Sequence, residues 1–130
     1  MVSESSMQAQ IRLQAAQDSV WLMRNNSGVL NDKNGRPVRF GIGNDSATVN
    51  AKLKSSDLIG IRPVLVTEAH VGQVIGQFIA VEAKPPTFRG PAGDDRALAQ
   101  QAWMNLVRHW GGVAGFAPTV TLARRIWGGE

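Results

Sequence analysis

The chain has 130 residues, no cysteine, a formal net charge of +4 and a pI near 10.4. That length predicts one domain, 1–130, able to bury roughly two-thirds of its unfolded surface without staples. The missing thiols exclude disulfides, thiolate metal sites and a cysteine nucleophile, and no run of about 18 apolar residues is present to span a membrane.

The opening "MVSESSMQAQ" lacks the basic and apolar stretches of a secretory signal, which fits a cytoplasmic protein. Ser3 is a good helix N-cap and Glu4 suits the positive end of a helix dipole. Met7, Ile11 and Ala15 repeat at i, i+4, so residues 3–18 are expected to be helical. "VWLM", 20–23, reads as a short strand, and "RNNSG", 24–28, as a turn. Residues 29–56 read as polar and irregular, with one short strand over 38–42.

"DLIGIRPVLV", 57–66, reads as a strand with Pro63 at an edge or bulge. "TEAHVGQ" reads as a turn and 74–83 as the antiparallel partner strand. Pro85 and Pro86 stop it, because neither can donate to a ladder. Asp94 or Asp95 caps the next helix, whose apolar stripe is Leu98, Ala102, Trp103, Leu106, Val107 and Trp110. Gly111-Gly112 ends it, 113–117 reads as a strand, and Thr119 caps a last helix through Trp127. The expected class is α/β, a mixed β-sheet flanked by helices.

The charges are unevenly spread. Arg24, Lys33, Arg36, Arg39, Lys52 and Lys54 face only Asp32 and Asp45 in the same stretch, a bias that favours a polyanionic partner such as DNA. Residues two apart on a strand share a face, so Glu82 and Lys84 project together from the end of an apolar strand. In the expected hairpin Asp57 lies opposite position 83. Two carboxylates and an ammonium then converge, as a site for Mg²⁺ or Mn²⁺ or as a strand-end ion pair. His70, in a turn, and His109, late on a helix, read as non-catalytic. Trp103 and Trp110 read as core, and Trp127 as the interface candidate.

An acidic residue opening one strand and E-x-K closing the next resembles the PD-(D/E)xK nuclease superfamily. The match is closer to its VRR-NUC branch: Glu4 in the first helix, "RNNSG" at 24–28, "SSDLIG" at 55–60, "FIAVEAK" at 78–84, "QQAW" at 100–103 and "GG" at 111–112. Ser56 stands where the superfamily's name-giving proline would be. The resemblance implies a restriction-endonuclease-like fold with Asp57, Glu82, Glu4 and the Ala83 carbonyl as metal ligands and Lys84 as the catalytic lysine. It implies Gln100 beside the site, with Gln101 as the substitute if the helix register differs by one. Arg24, Asn25, Arg39, Lys52 and Lys54 would contact DNA. The implied protein is a phage-type, homodimeric endonuclease for branched DNA such as Holliday junctions, in a bacterial or phage-infected cell. It would use Mg²⁺ or Mn²⁺, with no organic cofactor.

Overall fold

The computed structural model describes residues 3–129. Its contacts fall into two units, Met1–Arg62 and Pro63–Glu130. Together they hold four helices and three two-stranded sheets among the described residues, a mixed α/β architecture.

The first unit opens with α1 (Glu4–Gln17), where the Ser3 hydroxyl accepts from the Ser6 N–H at 3.1 Å. Ala15 is buried, and the helix packs on β1 (Trp21–Arg24). α1 ends in a Schellman motif: Val20 N–H donates to the Ala15 carbonyl at 2.7 Å and Ser19 N–H to the Ala16 carbonyl at 3.3 Å. Ser19 takes the left-handed position with φ 58°.

β1 pairs antiparallel with β4 (Leu58–Ile61), with Leu22 opposite Gly60 and Arg24 opposite Leu58. A Cβ on Gly60 would run into the Trp21 carbonyl, so only glycine permits this approach of the strands. "RNNSG" is not a single turn. Arg24 closes β1 and Gly28 opens β2 (Gly28–Asn31), which pairs antiparallel with β3 (Pro37–Phe40). The Asp32 carboxylate sets the connection by accepting the N–H groups of Asn34 at 2.8 Å and Arg36 at 2.9 Å. Buried Asn44 fastens the hairpin from inside, donating to the Gly28 carbonyl at 2.9 Å and the Phe40 carbonyl at 3.0 Å. A short helix, α2 (Ala47–Lys52), follows, capped by Ser46. The stretch expected to be irregular thus carries a hairpin and a helix, both held by local polar caps rather than by core burial.

The second unit corrects the expected hairpin of 57–66 with 74–83. β4 stops at Ile61, and Pro63 has no N–H to extend it. Residues 62–78 hold one 3-10 turn over 68–70, and Leu65, Val66, Val71 and Val74 are exposed. Apolar residues alone suggested strands there, but most of them are uncovered, with only Val64, His70 and Phe78 half-buried. β5 (Ile79–Ala83) instead pairs parallel with β6 (Val113–Ala117), Glu82 lying opposite Phe116. A parallel pair needs a long crossover, supplied here by α3 (Asp95–His109). Asp94 is its N-cap, accepting the Ala97 N–H at 3.0 Å.

The buried positions of α3 are Ala97, Met104 and Val107. The expected stripe is therefore displaced: Leu98, Trp103 and Leu106 are exposed, and only Val107 of the predicted set is fully buried. The inward face runs through Gln100 and Gln101, both half-buried, so hydrophobicity alone misplaces it. Gly111, with φ 91°, ends α3 by the same Schellman hydrogen bonds as α1. α4 (Val120–Ile126), capped by Thr119, packs on β6.

Candidate active site

Strand β5 alternates, with Ala80 and Glu82 half-buried and Ile79, Val81 and Ala83 exposed. This is the strand period of two, and it carries Lys84 to the same side as Glu82. The Gln100 side chain reaches Glu82 from the first half of α3, Nε2 donating to Oε1 at 2.9 Å. A carboxylate only accepts, so the amide nitrogen must face it. That leaves Gln100 Oε1 buried without a donor in the protein. Ala80, Glu82, Arg96, Gln100, Trp103 and Met104 line an open cleft of about 420 Å³ here.

Lys84 follows the last residue of β5. Its N–H donates to the Ala117 carbonyl at 3.1 Å, prolonging the parallel ladder. Its ammonium lies over two rings, 5.3 Å from the centroid of Phe88 and 5.5 Å from that of Phe116. It is thus paired with aromatic faces, not with Glu82, whose Oε1 is taken by Gln100.

The structure therefore brings together Glu82, Ala83, Lys84 and Gln100. Gln101 is the next residue of α3 and the Glu82 contact belongs to Gln100. Glu4 and Asp57 belong to the other unit, where Glu4 is exposed at the first position of α1 and Asp57 is exposed just before β4. Two motif pieces do meet there. Asn25 N–H donates to the Asp57 carbonyl at 2.8 Å, and its Nδ2 donates to Ser55 Oγ and the Ser56 carbonyl, each at 2.8 Å. Its Oδ1 accepts the Ile42 N–H at 3.3 Å, so the Asn25 amide ties three segments together. Arg24 is exposed beside it, as are Lys52 and Lys54 further along the chain. Arg39 Nη1 donates to Asn44 Oδ1 at 2.7 Å, which holds that guanidinium against the hairpin.

Trp127, expected as an interface residue, is exposed and lines a second cleft of about 470 Å³ with Gln77, Ile79, Val113, Arg125 and Ile126. The residues that sequence reading missed are Phe88, Phe116 and Arg96. A lone aromatic in a proline-glycine loop, "PPTFRG", was the signal for Phe88. Phe116 became legible only through its register with Glu82.

The donors suit a hard cation in part. Among the described residues no group of three or more His, Cys, Asp or Glu stands together to hold a metal. Mg²⁺ can bind through one or two carboxylates, completing its shell with water and phosphate oxygens. Glu82 and the undonated Gln100 Oε1 are hard oxygen donors of that kind. No family model, curated protein or solved structure matches the chain. No helix among the described residues is long and apolar enough to cross a membrane.

Proposed function

We propose that the chain is a Mg²⁺- or Mn²⁺-dependent DNA endonuclease of the PD-(D/E)xK type and VRR-NUC branch, with a restriction-endonuclease-like fold. The observation that carries this reading is the Gln100–Glu82 hydrogen bond at 2.9 Å, which seats a helix glutamine on the acid of an E-x-K strand end. Glu82 and Lys84 also lie at the carboxyl end of a parallel strand pair, where α/β folds place their ligands. The substrate is branched DNA such as a Holliday junction, and the working form is a homodimer, since cutting two strands symmetrically takes two sites. The basic residues Arg24, Lys52 and Lys54 contact phosphate, and the setting is the cytoplasm of a bacterial or phage-infected cell.

Glu82 and the Ala83 carbonyl would offer the metal its oxygen donors; once bound, the metal would supply a water of lowered pKa and neutralise phosphate charge. Gln100 fixes the Glu82 carboxylate through Oε1, at the wall of the cleft that both residues line. Lys84 presents its ammonium to the scissile phosphate and stabilises the charge that develops as water adds and the P–O bond to the leaving oxygen breaks.

One observation favours a second reading, a non-catalytic DNA-binding module: Glu82 has no two further metal-binding side chains grouped with it among the described residues. Cleavage of a labelled four-way junction, linear duplex, flap and single strand separates the readings. Each is run with Mg²⁺, Mn²⁺ or EDTA, with Lys84→Ala as the control. Paired, metal-dependent cuts confined to the junction and lost in the variant are expected. Cuts in flaps or duplex keep the nuclease and discard the junction. Binding without cutting under either metal selects the module.

A further inference from the structure

We propose that Phe88 and Phe116 are positioning residues for Lys84, their two ring faces holding its ammonium by cation–π attraction. The functional consequence rests on the nuclease reading above; the geometry does not. Lysine carries its charge on a flexible four-carbon stem, so a site that uses it must restrict that stem. Among the described residues no carboxylate does so. The ammonium lies 5.3 Å and 5.5 Å from the two centroids, inside the roughly 6 Å over which a ring face attracts a cation. The rings brace each other, with centroids 4.9 Å apart and planes inclined at 47°. Two half-buried aromatic residues thus form one receptor for one charge.

They reach it by different routes. Phe116 comes from β6, opposite Glu82. Phe88 comes from the loop after β5, in a turn closed by its own N–H to the Pro85 carbonyl at 2.9 Å. Arg89 Nη1 staples that turn, donating to the Pro86 carbonyl at 2.9 Å and the Phe88 carbonyl at 3.2 Å. Pro85 and Pro86 limit the backbone freedom of the loop that delivers the ring. The loop is therefore a support for Lys84, and its proline content has a use at the site.

The test observes the lysine itself. In full-length protein labelled with ¹³C at lysine Cε, the ring faces place the Lys84 signal upfield of the other lysines, and its loss in Lys84→Arg assigns it. Phe88→Leu and Phe116→Leu should each move it toward the free-lysine position. Phe88→Tyr and Phe116→Tyr should restore it. If the wild type cleaves DNA, each Leu variant should lower kcat roughly two- to tenfold at unchanged KM, with Tyr rescuing. A Lys84 signal that stays put when either ring is removed overturns the proposal. Should Phe116→Leu fail to fold, the loop variant Phe88→Leu decides alone. A wild type that never cuts sinks the nuclease reading, while the lysine signal still decides the positioning.

Discussion

Gln100 donates to Glu82 across 2.9 Å and in doing so leaves its own Oε1 buried and undonated. A protein keeps an amide in that state only where something outside the chain can use the oxygen or where the bond to the carboxylate outweighs it. Replacing Gln100 tests what the side chain contributes. Gln100→Ala should lower stability by about 1 kcal/mol in urea unfolding, since Glu82 loses a donor but can rehydrate through the cleft. Gln100→Leu should cost less than Gln100→Ala, because both remove the undonated oxygen and only leucine fills the space. Equal losses for both would show that the volume left by the side chain costs nothing.

Asn25 should behave as a structural residue. Its side chain makes three hydrogen bonds, to Ser55, Ser56 and Ile42. Asn25→Ala should destabilise the protein by about 2–3 kcal/mol, since several partners are left unmet at once. DNA affinity at a temperature where the variant is folded should be nearly unchanged. A large affinity loss in a stable variant would return Asn25 to the DNA-contact set.

Ser19→Gly should stabilise the protein. The ends of α1, α3 and α4 share one hydrogen-bond pattern, with Ser19, Gly111 and Gly128 at the left-handed position. Two of these residues are glycine, and the serine bears the Cβ penalty of that conformation. The substitution should add about 0.5–1 kcal/mol, or a few degrees in Tm. An unchanged or lower Tm would mean that the serine hydroxyl compensates.

The basic residues should act through salt. Lys52→Ala and Lys54→Ala, both at exposed positions, should each reduce the slope of log affinity against log salt by about 0.9 if each neutralises one phosphate. Arg39→Ala should do less to the slope and more to stability, because its guanidinium already serves Asn44. Slopes unchanged from wild type in all three would remove this segment from the interface.

Much of the fold was readable where a period or a cap was strong. α1, α3 and α4 were announced by Ser3, Asp94 and Thr119, and β5 and β6 by their apolar runs. Pairing was not readable. Val74 and Ile75 look like strand residues, yet their segment is exposed, and Gly76 separates it from β5. The hairpin of β2 and β3 escaped notice because its strands are exposed and its support comes from polar groups, Asp32 and Asn44. The α3 face was misread because two glutamines occupy positions where an apolar residue marks burial. At the site, the alternation of β5 correctly put Glu82 and Lys84 on one face. Nothing in the spacing could foretell that the lysine would be met by rings instead of an acid.

The parallel pairing of β5 and β6 through α3 has one more consequence. Glu82, Lys84, Phe88, Gln100 and Phe116 all lie within a single strand–helix–strand crossover. Their mutual alignment is set by how α3 seats on two strands, and Gln77 and Phe78 join it, Gln77 Nε2 donating to the Gly111 carbonyl at 2.9 Å and the Phe78 carbonyl accepting the Val113 N–H at 2.9 Å. Residues 62–76 can vary in length at small cost, since doubling a flexible loop adds only about 0.6 kcal/mol. Divergence should accumulate in that strap, while the crossover tolerates neither insertion nor deletion.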